Sequence, residues 1–445
     1  MTLPLMEAQG SRPVAIRDGK PVGVAEFLGH VAAVADGLPE GPYVINLCED
    51  RYHFLVGFAA SMVRGQISLL PPGRAEGDIR RVLSVYAEAY CLVDQGSGPS
   101  TGVPVHRLRL ETMTMDAIPR IPGEQTAVIP FTSGSTGVPR PHPRTWRALV
   151  ESARRARRRF ALDKNGPYPV VATVPPQHMY GFETTIMYAL MAQVSVHGGR
   201  PFFPADVADA LRQAGSRAIL VTTPIHLRAM VESGIAWPEM DRIISATAPL
   251  PLALAKKAES TFKCPVLEIY GCTEAGSLAT RRTTTDERWY LFDDYRLDIN
   301  GRRGTLHVPE LPAPVLLPDF VEAATEGSFH LLGRTADLVN IAGKRASLGD
   351  LNSRLRQIDG VEDGVFVLPP AVPGRTPRLA ALVVSPAGDR KRILDALARH
   401  LDPAFLPRPL VLVDKLPYTD TGKLRRDDLL KLLGFSTDEA SCRHA

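Results

Sequence analysis

Residues 131–146, FTSGSTGVPRPHPRTW, set Gly134 and Gly137 among the hydroxyl side chains Thr132, Ser133, Ser135 and Thr136. Glycine lets the backbone approach a ligand closely, and successive N–H groups flanked by hydroxyls form a concavity suited to phosphate. Arg140 adds a fixed positive charge beside them. The stretch is not a GxxxxGK[ST] loop, because no Gly-Lys-Ser/Thr follows at that spacing. Taken alone, it reads equally well as a solvated loop. A second segment, YGCTEAG at 270–276, places the Thr273 hydroxyl next to the Glu274 carboxylate. Such oxygen groups suit a phosphate and a hard divalent cation such as Mg²⁺. Two later segments, GRTADLVNIAGKR (333–345) and PYTDTGKLRR (417–426), each set a charged residue beside a glycine.

The elements that must carry these turns are short, apolar and β-branched. TAVIPF (126–131), PVVATV (169–174), AILVT (218–222), RIISAT (242–247) and VLEIY (266–270) each end in a polar or Gly/Pro-rich turn, with helix-like stretches following. That alternation predicts parallel α/β layers. In such sheets ligands gather beyond the carboxyl ends of the strands, where all of these turns fall. After a Pro-rich zone at 309–318 the pattern changes. VFVL (365–368), LAALVV (379–384), a helix over about 389–400 and PLVLV (409–413) predict a small α+β unit. The expected division is a large domain over 1–333, a hinge at 334–337 and a small mobile domain over 338–445.

Composition sets the outer limits. A chain of 445 residues with 44% hydrophobic and 22% charged side chains has the profile of a soluble multidomain protein. Its 52 Lys and Arg against 48 Asp and Glu give a net charge of +4, too balanced for a protein built to grip nucleic acid. The five cysteines are scattered, which argues against a disulfide framework and for a reducing cytoplasm. No secretory leader and no membrane span are expected.

Taken in order, the segments TSGSTGVPR, YGCTEAG, GRTADLVNIAGKR and PYTDTGK resemble the adenylate-forming superfamily of acyl-CoA synthetases, aryl-acid ligases and adenylation domains, over about residues 40 to 430. The resemblance implies a two-step reaction using ATP and Mg²⁺. A carboxylate first attacks the α-phosphorus to give acyl-AMP and pyrophosphate. A thiol, on coenzyme A or an acyl carrier protein, then displaces AMP. It implies that Thr132–Gly137 (Thr132, Ser133, Gly134, Ser135, Thr136, Gly137) and Arg140 hold the phosphates, and that Ala246, Tyr270, Gly271 and Thr273 line the nucleotide. Glu274 would carry the metal, and Asp319 and Arg334 would bind the ribose. Lys423 matches the mobile lysine that bridges the attacking carboxylate and the α-phosphate, and Gly343 would border the thiol tunnel. The hinge position usually held by Asp is Ala336 here, with Asp337 following, and the phosphate loop reads Pro139-Arg140-Pro141 in place of Pro-Lys-Gly.

The acid pocket is expected around PPQHMYGFE (175–183), with His178, Tyr180, Gly181 and Phe182, together with Thr247, Gly271 and Cys272. His178 would gate or stack on the substrate. An aromatic wall favours an aryl ring over an alkyl chain. The segment is most similar to the small ligases of aryl polyene and xanthomonadin-type pigment pathways, which implies a hydroxybenzoate-type acid. The rival readings are a medium-chain acyl-CoA synthetase and a non-catalytic nucleotide-binding relic. Arg154, Arg155, Arg157, Arg158 and Arg159 cover most of a helix circumference, which predicts a solvated helix, with docking of an acidic carrier protein as the sharper alternative.

Overall fold

The computed structural model describes residues 1–7, 12–96, 98, 102–111, 113–132, 140–164, 166–325, 327–334, 338–341, 344–370, 378–386, 388–419 and 424–435. By compactness the chain divides into two units, Met1–Arg296 with His307–Val315, and Leu297–Leu306 with Leu316–Ala445. Of the expected hinge, residues 335–337, including Ala336 and Asp337, lie outside the described residues.

The first unit is layered α/β. One sheet runs Arg140–Pro141, Thr126–Thr132, Ile67–Leu70, Tyr43–Asn46, Ala89–Val93 and Val105–Arg107. The other is centred on the parallel strands Val194–His197, Tyr168–Ala172, Ile219–Thr222, Arg242–Ser245 and Val266–Cys272, in that spatial order. Their Val/Ile/Leu content follows from burial on both faces. On one face Val171, Leu220, Ile243 and Val266 pack against Leu211, Leu227, Ala258 and Phe262, from the helices Pro204–Ala214, Pro224–Glu232 and Leu252–Phe262. Proline starts two of these helices, where its missing N–H costs nothing.

Two expectations are corrected. The strand Val266–Cys272 is followed by an antiparallel strand, Gly276–Arg281, and not by a helix. Only Thr273, Glu274 and Ala275 lie between them, and Gly276 turns the chain back with φ +80°. The arginine-rich helix, Trp146–Arg159, is not a solvated one. Arg155 is 4% exposed and forks onto Glu310 at 3.0 and 2.8 Å, with its guanidinium over the Tyr295 ring. Arg154 and Arg157 share Glu7, and Arg159 reaches the Leu291 carbonyl. Arg158, half exposed, stands 3.6 Å from both Asp293 and Asp294. The sequence shows the five cations but not the acids that fold back on them.

In the second unit, which the chain re-enters at Leu316, the strand Val315–Ala323 pairs antiparallel with Ser328–Arg334. A hairpin, Leu338–Ile341 with Lys344–Ser347, leads into the helix Leu348–Arg356. The expected α+β unit follows: strands Asp363–Val367, Ala380–Val384 and Leu410–Leu412, with helices Arg390–His400 and Arg426–Leu432. Its core joins Leu351, Leu355, Phe366, Ala381, Ile393 and Leu397. Among the described residues no helix is long and apolar enough to cross a membrane.

Candidate functional site

The strand Thr126–Thr132 ends on Thr132, and the returning chain pairs Arg140 with Thr132 and Pro141 with Phe131. Thr132 and Arg140 are thereby set side by side, and Ser133, Gly134, Ser135, Thr136 and Gly137 lie outside the described residues. Thr132 Oγ1 lies 3.0 Å from His142 Nε2, and the same nitrogen is 4.0 Å from Glu274 Oε1. Thus the structure brings the base of the glycine loop to the Thr273–Glu274 turn. Burial pushes the His142 imidazole below its ordinary value; Glu274 opposes this, and Arg140 and Arg144 add to it. His142 is accordingly neutral near pH 7.

The Thr273–Glu274 turn is held by main chain and by two buried charges. Cys272 pairs with Gly276 and Gly271 with Ser277. A Cβ at Gly271 would lie 2.5 Å from the Gly276 carbonyl oxygen, so only glycine fits. Arg144, 1% exposed, donates Nη1 to the Glu274 carbonyl oxygen at 3.0 Å. The Ser277 N–H and hydroxyl donate to Glu183 Oε2 at 3.0 and 2.5 Å. Burial raises the Glu183 carboxyl above its usual value, while the Ser277 bonds and Arg144 pull it back. The Cys272 thiol is pushed up to about 12 by burial and then by Glu274, which makes it a poor nucleophile at neutral pH.

The Glu274 side chain is 38% exposed. Among the described residues no three His, Cys, Asp or Glu side chains gather as a metal site. A cation at this turn would rest on one carboxylate, with phosphate oxygens and water completing its shell. Mg²⁺ is commonly bound that way, so the donor set fits it.

In the segment PPQHMYGFE, Met179–Gly181 begins a helix that widens into a π-turn over Phe182–Met187 and continues through Tyr188–Met191. Gly181 packs so tightly on Pro175 that a Cβ would meet its carbonyl oxygen at 2.2 Å. The Tyr180 hydroxyl donates toward the Ile244 carbonyl at 2.8 Å and the Thr222 carbonyl at 3.1 Å. The ring is thereby fastened across the carboxyl ends of two central strands. Ala246 and Thr247 follow one of those ends. Ala246 is buried, and Thr247 sits at φ +80° with its hydroxyl oxygen buried and unpartnered among the described residues. Phe182 is fully buried edge-on against Phe58, so it supports the wall from behind and offers no surface to a ligand. His178 is half-buried just before the helix. Tyr270 packs on Trp289.

In the second unit, Asp319 and Arg334 stand opposite each other in strand register. Gly343 and Lys423 lie outside the described residues. Sequence reasoning gave no role to His142, Arg144 or Glu183, although all three stand inside quoted segments. The available signal was a charged or titratable residue within an otherwise apolar or turn context. What it lacked was which segments meet.

The family model described as AMP-binding enzyme matches residues 11–294. The chain is 29% identical over 299 residues to a 4-coumarate–CoA ligase of Rhodobacter capsulatus, covering 66% of this chain and 73% of that one. It is 23% identical over 344 residues to a 2-succinylbenzoate–CoA ligase of Staphylococcus epidermidis, covering 68% and 69%. Among solved structures, ATP-bound MatB from Rhodopseudomonas palustris is similar with a TM-score of 0.82 at 18% identity, over 96% of this chain and 97% of that one. The O-succinylbenzoate coenzyme A synthetase MenE of Bacillus subtilis, in complex with ATP and magnesium ion, gives 0.81 at 16% identity, over 96% and 99%. At these identities the structural likeness is one of fold.

Proposed function

The chain belongs to the AMP-binding enzyme family, and we propose that it activates an aromatic carboxylic acid of the hydroxybenzoate type and passes the acyl group to a thiol. The enzyme class is that of ATP-dependent, AMP-forming acid–thiol ligases. The observation that carries the aromatic reading is Tyr180, whose hydroxyl is tied to the Thr222 and Ile244 carbonyls so that its ring spans two strand ends. A ring fixed at its polar tip offers a rigid apolar body, on which a second ring packs better than a flexible chain does. The relatives named for 4-coumarate and 2-succinylbenzoate, both aromatic acids, support this reading.

In the first half-reaction a carboxylate oxygen attacks the α-phosphorus, the bond to the β-phosphate oxygen breaks, and pyrophosphate leaves. The protein's task there is positioning and charge neutralisation more than covalent chemistry. Thr132–Gly137 and Arg140 hold the phosphates, with Ala246, Tyr270 and Gly271 along the nucleotide. Thr273 touches the α-phosphate, Asp319 and Arg334 the ribose, and Lys423 bridges carboxylate and phosphate. When bound at Glu274, Mg²⁺ neutralises phosphate charge. His178, Tyr180, Gly181, Thr247, Gly271 and Cys272 surround the acid. In the second half-reaction a thiolate sulfur attacks the acyl carbon along a path bordered by Gly343, and AMP departs. Rotation about Ala336–Asp337 exchanges the two arrangements. A hydroxybenzoate starter for pigment synthesis, loaded on an acyl carrier protein, is the finest form of the reading.

Pyrophosphate release with ATP, Mg²⁺ and a panel of acids tests it. Hydroxybenzoates should turn over faster than octanoate. A panel in which octanoate outruns every aryl acid overturns the aromatic reading, and a panel with no acid-dependent release overturns the enzyme itself.

A further inference from the structure

The motif PPQHMYGFE ends on Glu183, a carboxylate 5% exposed in the π-turn Phe182–Met187. A buried carboxylate is costly unless charge and hydrogen bonds compensate it, and an apolar residue there would usually serve stability as well. Its partners show what it holds. Oε2 accepts from the Ser277 N–H and hydroxyl, and Oε1 lies 3.5 Å from the Ser152 hydroxyl. A Cβ at Gly276 would come within 2.3 Å of Glu183 Oε1 and 3.5 Å of Arg144 Nη2. Arg144 in turn holds the Glu274 carbonyl. The turn bearing Thr273 and Glu274 is therefore gripped at Glu274 by a buried guanidinium and at Ser277 by a buried carboxylate. That carboxylate rides on the helix whose first turn presents Tyr180. Hydrogen bonds to ionised groups are the stronger, more directional kind. Widened π-turns recur at functional sites, and here the turn bears the residue that reaches the loop.

We infer that Glu183 is a positioning residue coupling the acid pocket to the Thr273–Glu274 turn, so that the acid and Mg²⁺–ATP tighten each other's binding. This rests on the acid-activating reading above. When the acid seats against the Tyr180 turn, Glu183 transmits the setting of that helix to Ser277, and with it the placement of the Glu274 carboxylate. Binding coupling is reciprocal, so the factor by which the acid tightens nucleotide equals the factor by which nucleotide tightens acid.

The test uses calorimetry of the full chain with Mg²⁺ and α,β-methylene-ATP, which cannot be cleaved at the reacting bond. Titrations are run without acid and with a saturating amount of whichever acid is fastest in the pyrophosphate panel. Wild type should bind the analogue about tenfold more tightly with acid present, a size ordinary for coupled sites. Glu183→Gln should keep the affinity measured without acid within about threefold and reduce the coupling to about twofold or less, as expected when a charged hydrogen bond is removed. A merely structural Glu183 would lower thermal stability and leave the coupling factor unchanged. Should Glu183→Gln not fold, Ser277→Ala keeps the N–H donor, loses the hydroxyl and should lose part of the coupling. Coupling absent in wild type, or retained in the foldable variant, overturns the inference. No pyrophosphate release with any acid overturns the underlying reading instead, so the two failures are distinct.

Discussion

Arg144 holds the main-chain oxygen of Glu274 at 3.0 Å across 130 residues of chain. One guanidinium thus fixes the backbone of the residue whose side chain faces the proposed metal. Arg144→Met keeps the bulk but removes the donor to the Glu274 carbonyl and part of the positive field on Glu183, which should cost about 1–3 kcal/mol of stability. Arg144→Lys should restore little adenylation, because an ammonium on a different stem does not set a donor where Nη1 meets the Glu274 carbonyl. Adding Glu183→Gln to Arg144→Met should recover part of the stability and none of the activity. Urea unfolding and pyrophosphate release read the two effects separately, and full activity in Arg144→Met would contradict the assignment.

Lys423 is assigned to the first half-reaction. Lys423→Ala should slow adenylation by about 10²–10³, in line with loss of one electrostatic group acting on the transition state. Thiolysis of supplied acyl-AMP should change little. Equal losses in both steps would remove the assignment.

Glu274→Gln keeps the shape of the side chain and removes its charge. Activity should fall, and the Mg²⁺ concentration for half-maximal rate should rise several-fold. A Mg²⁺ titration that superimposes on that of wild type would make Glu274 structural.

Thr247 adopts φ +80°, and its hydroxyl oxygen is buried with no partner among the described residues. A β-branched residue in that region stores about 1–3 kcal/mol. Thr247→Gly releases the strain and costs about 0.5–1 kcal/mol in chain entropy. Net stability should rise by about 1 kcal/mol while the KM for the acid increases. An unchanged KM would show that the strain serves nothing at the acid site, and a lower melting temperature would show that no net strain is stored there.

How much of this was legible in the residues differs by feature. The parallel strands were, because Val, Ile and Leu runs buried on both faces look alike in any order. The C-terminal unit was readable for the same reason. Tyr180 and Phe182 were expected together around the acid from the one segment PPQHMYGFE, yet Phe182 is fully buried against Phe58, since an aromatic looks the same in a wall and behind one. Glu183 and Arg144 were silent. Their roles depend on a carboxylate from one motif meeting a hydroxyl from another, and sequence spacing carries no trace of that meeting. The arginine helix was misleading, because its counter-charges, Glu7, Asp293, Asp294 and Glu310, are scattered along the chain.

Acid should weaken the fold partly through Asp94. Burial alone would raise its carboxyl, but hydrogen bonds from His53 and from the Glu49 and Asp50 N–H groups bring it down to about 2. The folded value lies below the unfolded ~3.9, so the stabilisation is full above that value and disappears as pH falls toward the folded one. Asp94→Asn should therefore cost about 2 kcal/mol at pH 7 and progressively less from pH 5 to 3. A pH-independent difference in urea midpoints would exclude the carboxylate as the source.

The folded-back acids around Arg154–Arg159 also bear on kinetics. A guanidinium already facing a carboxylate presents an approaching anion with a dipole, whose field decays faster with distance than that of a bare charge. Electrostatic acceleration of encounter depends on unneutralised charge and fades as ionic strength rises. This helix thus contributes little long-range pull on an acidic carrier domain. With the carrier protein proposed above as acceptor, the second-order rate of loading should be nearly flat between low and physiological salt as far as this surface governs it. Charge reversal of Arg158, the half-exposed member, should leave that rate within about twofold.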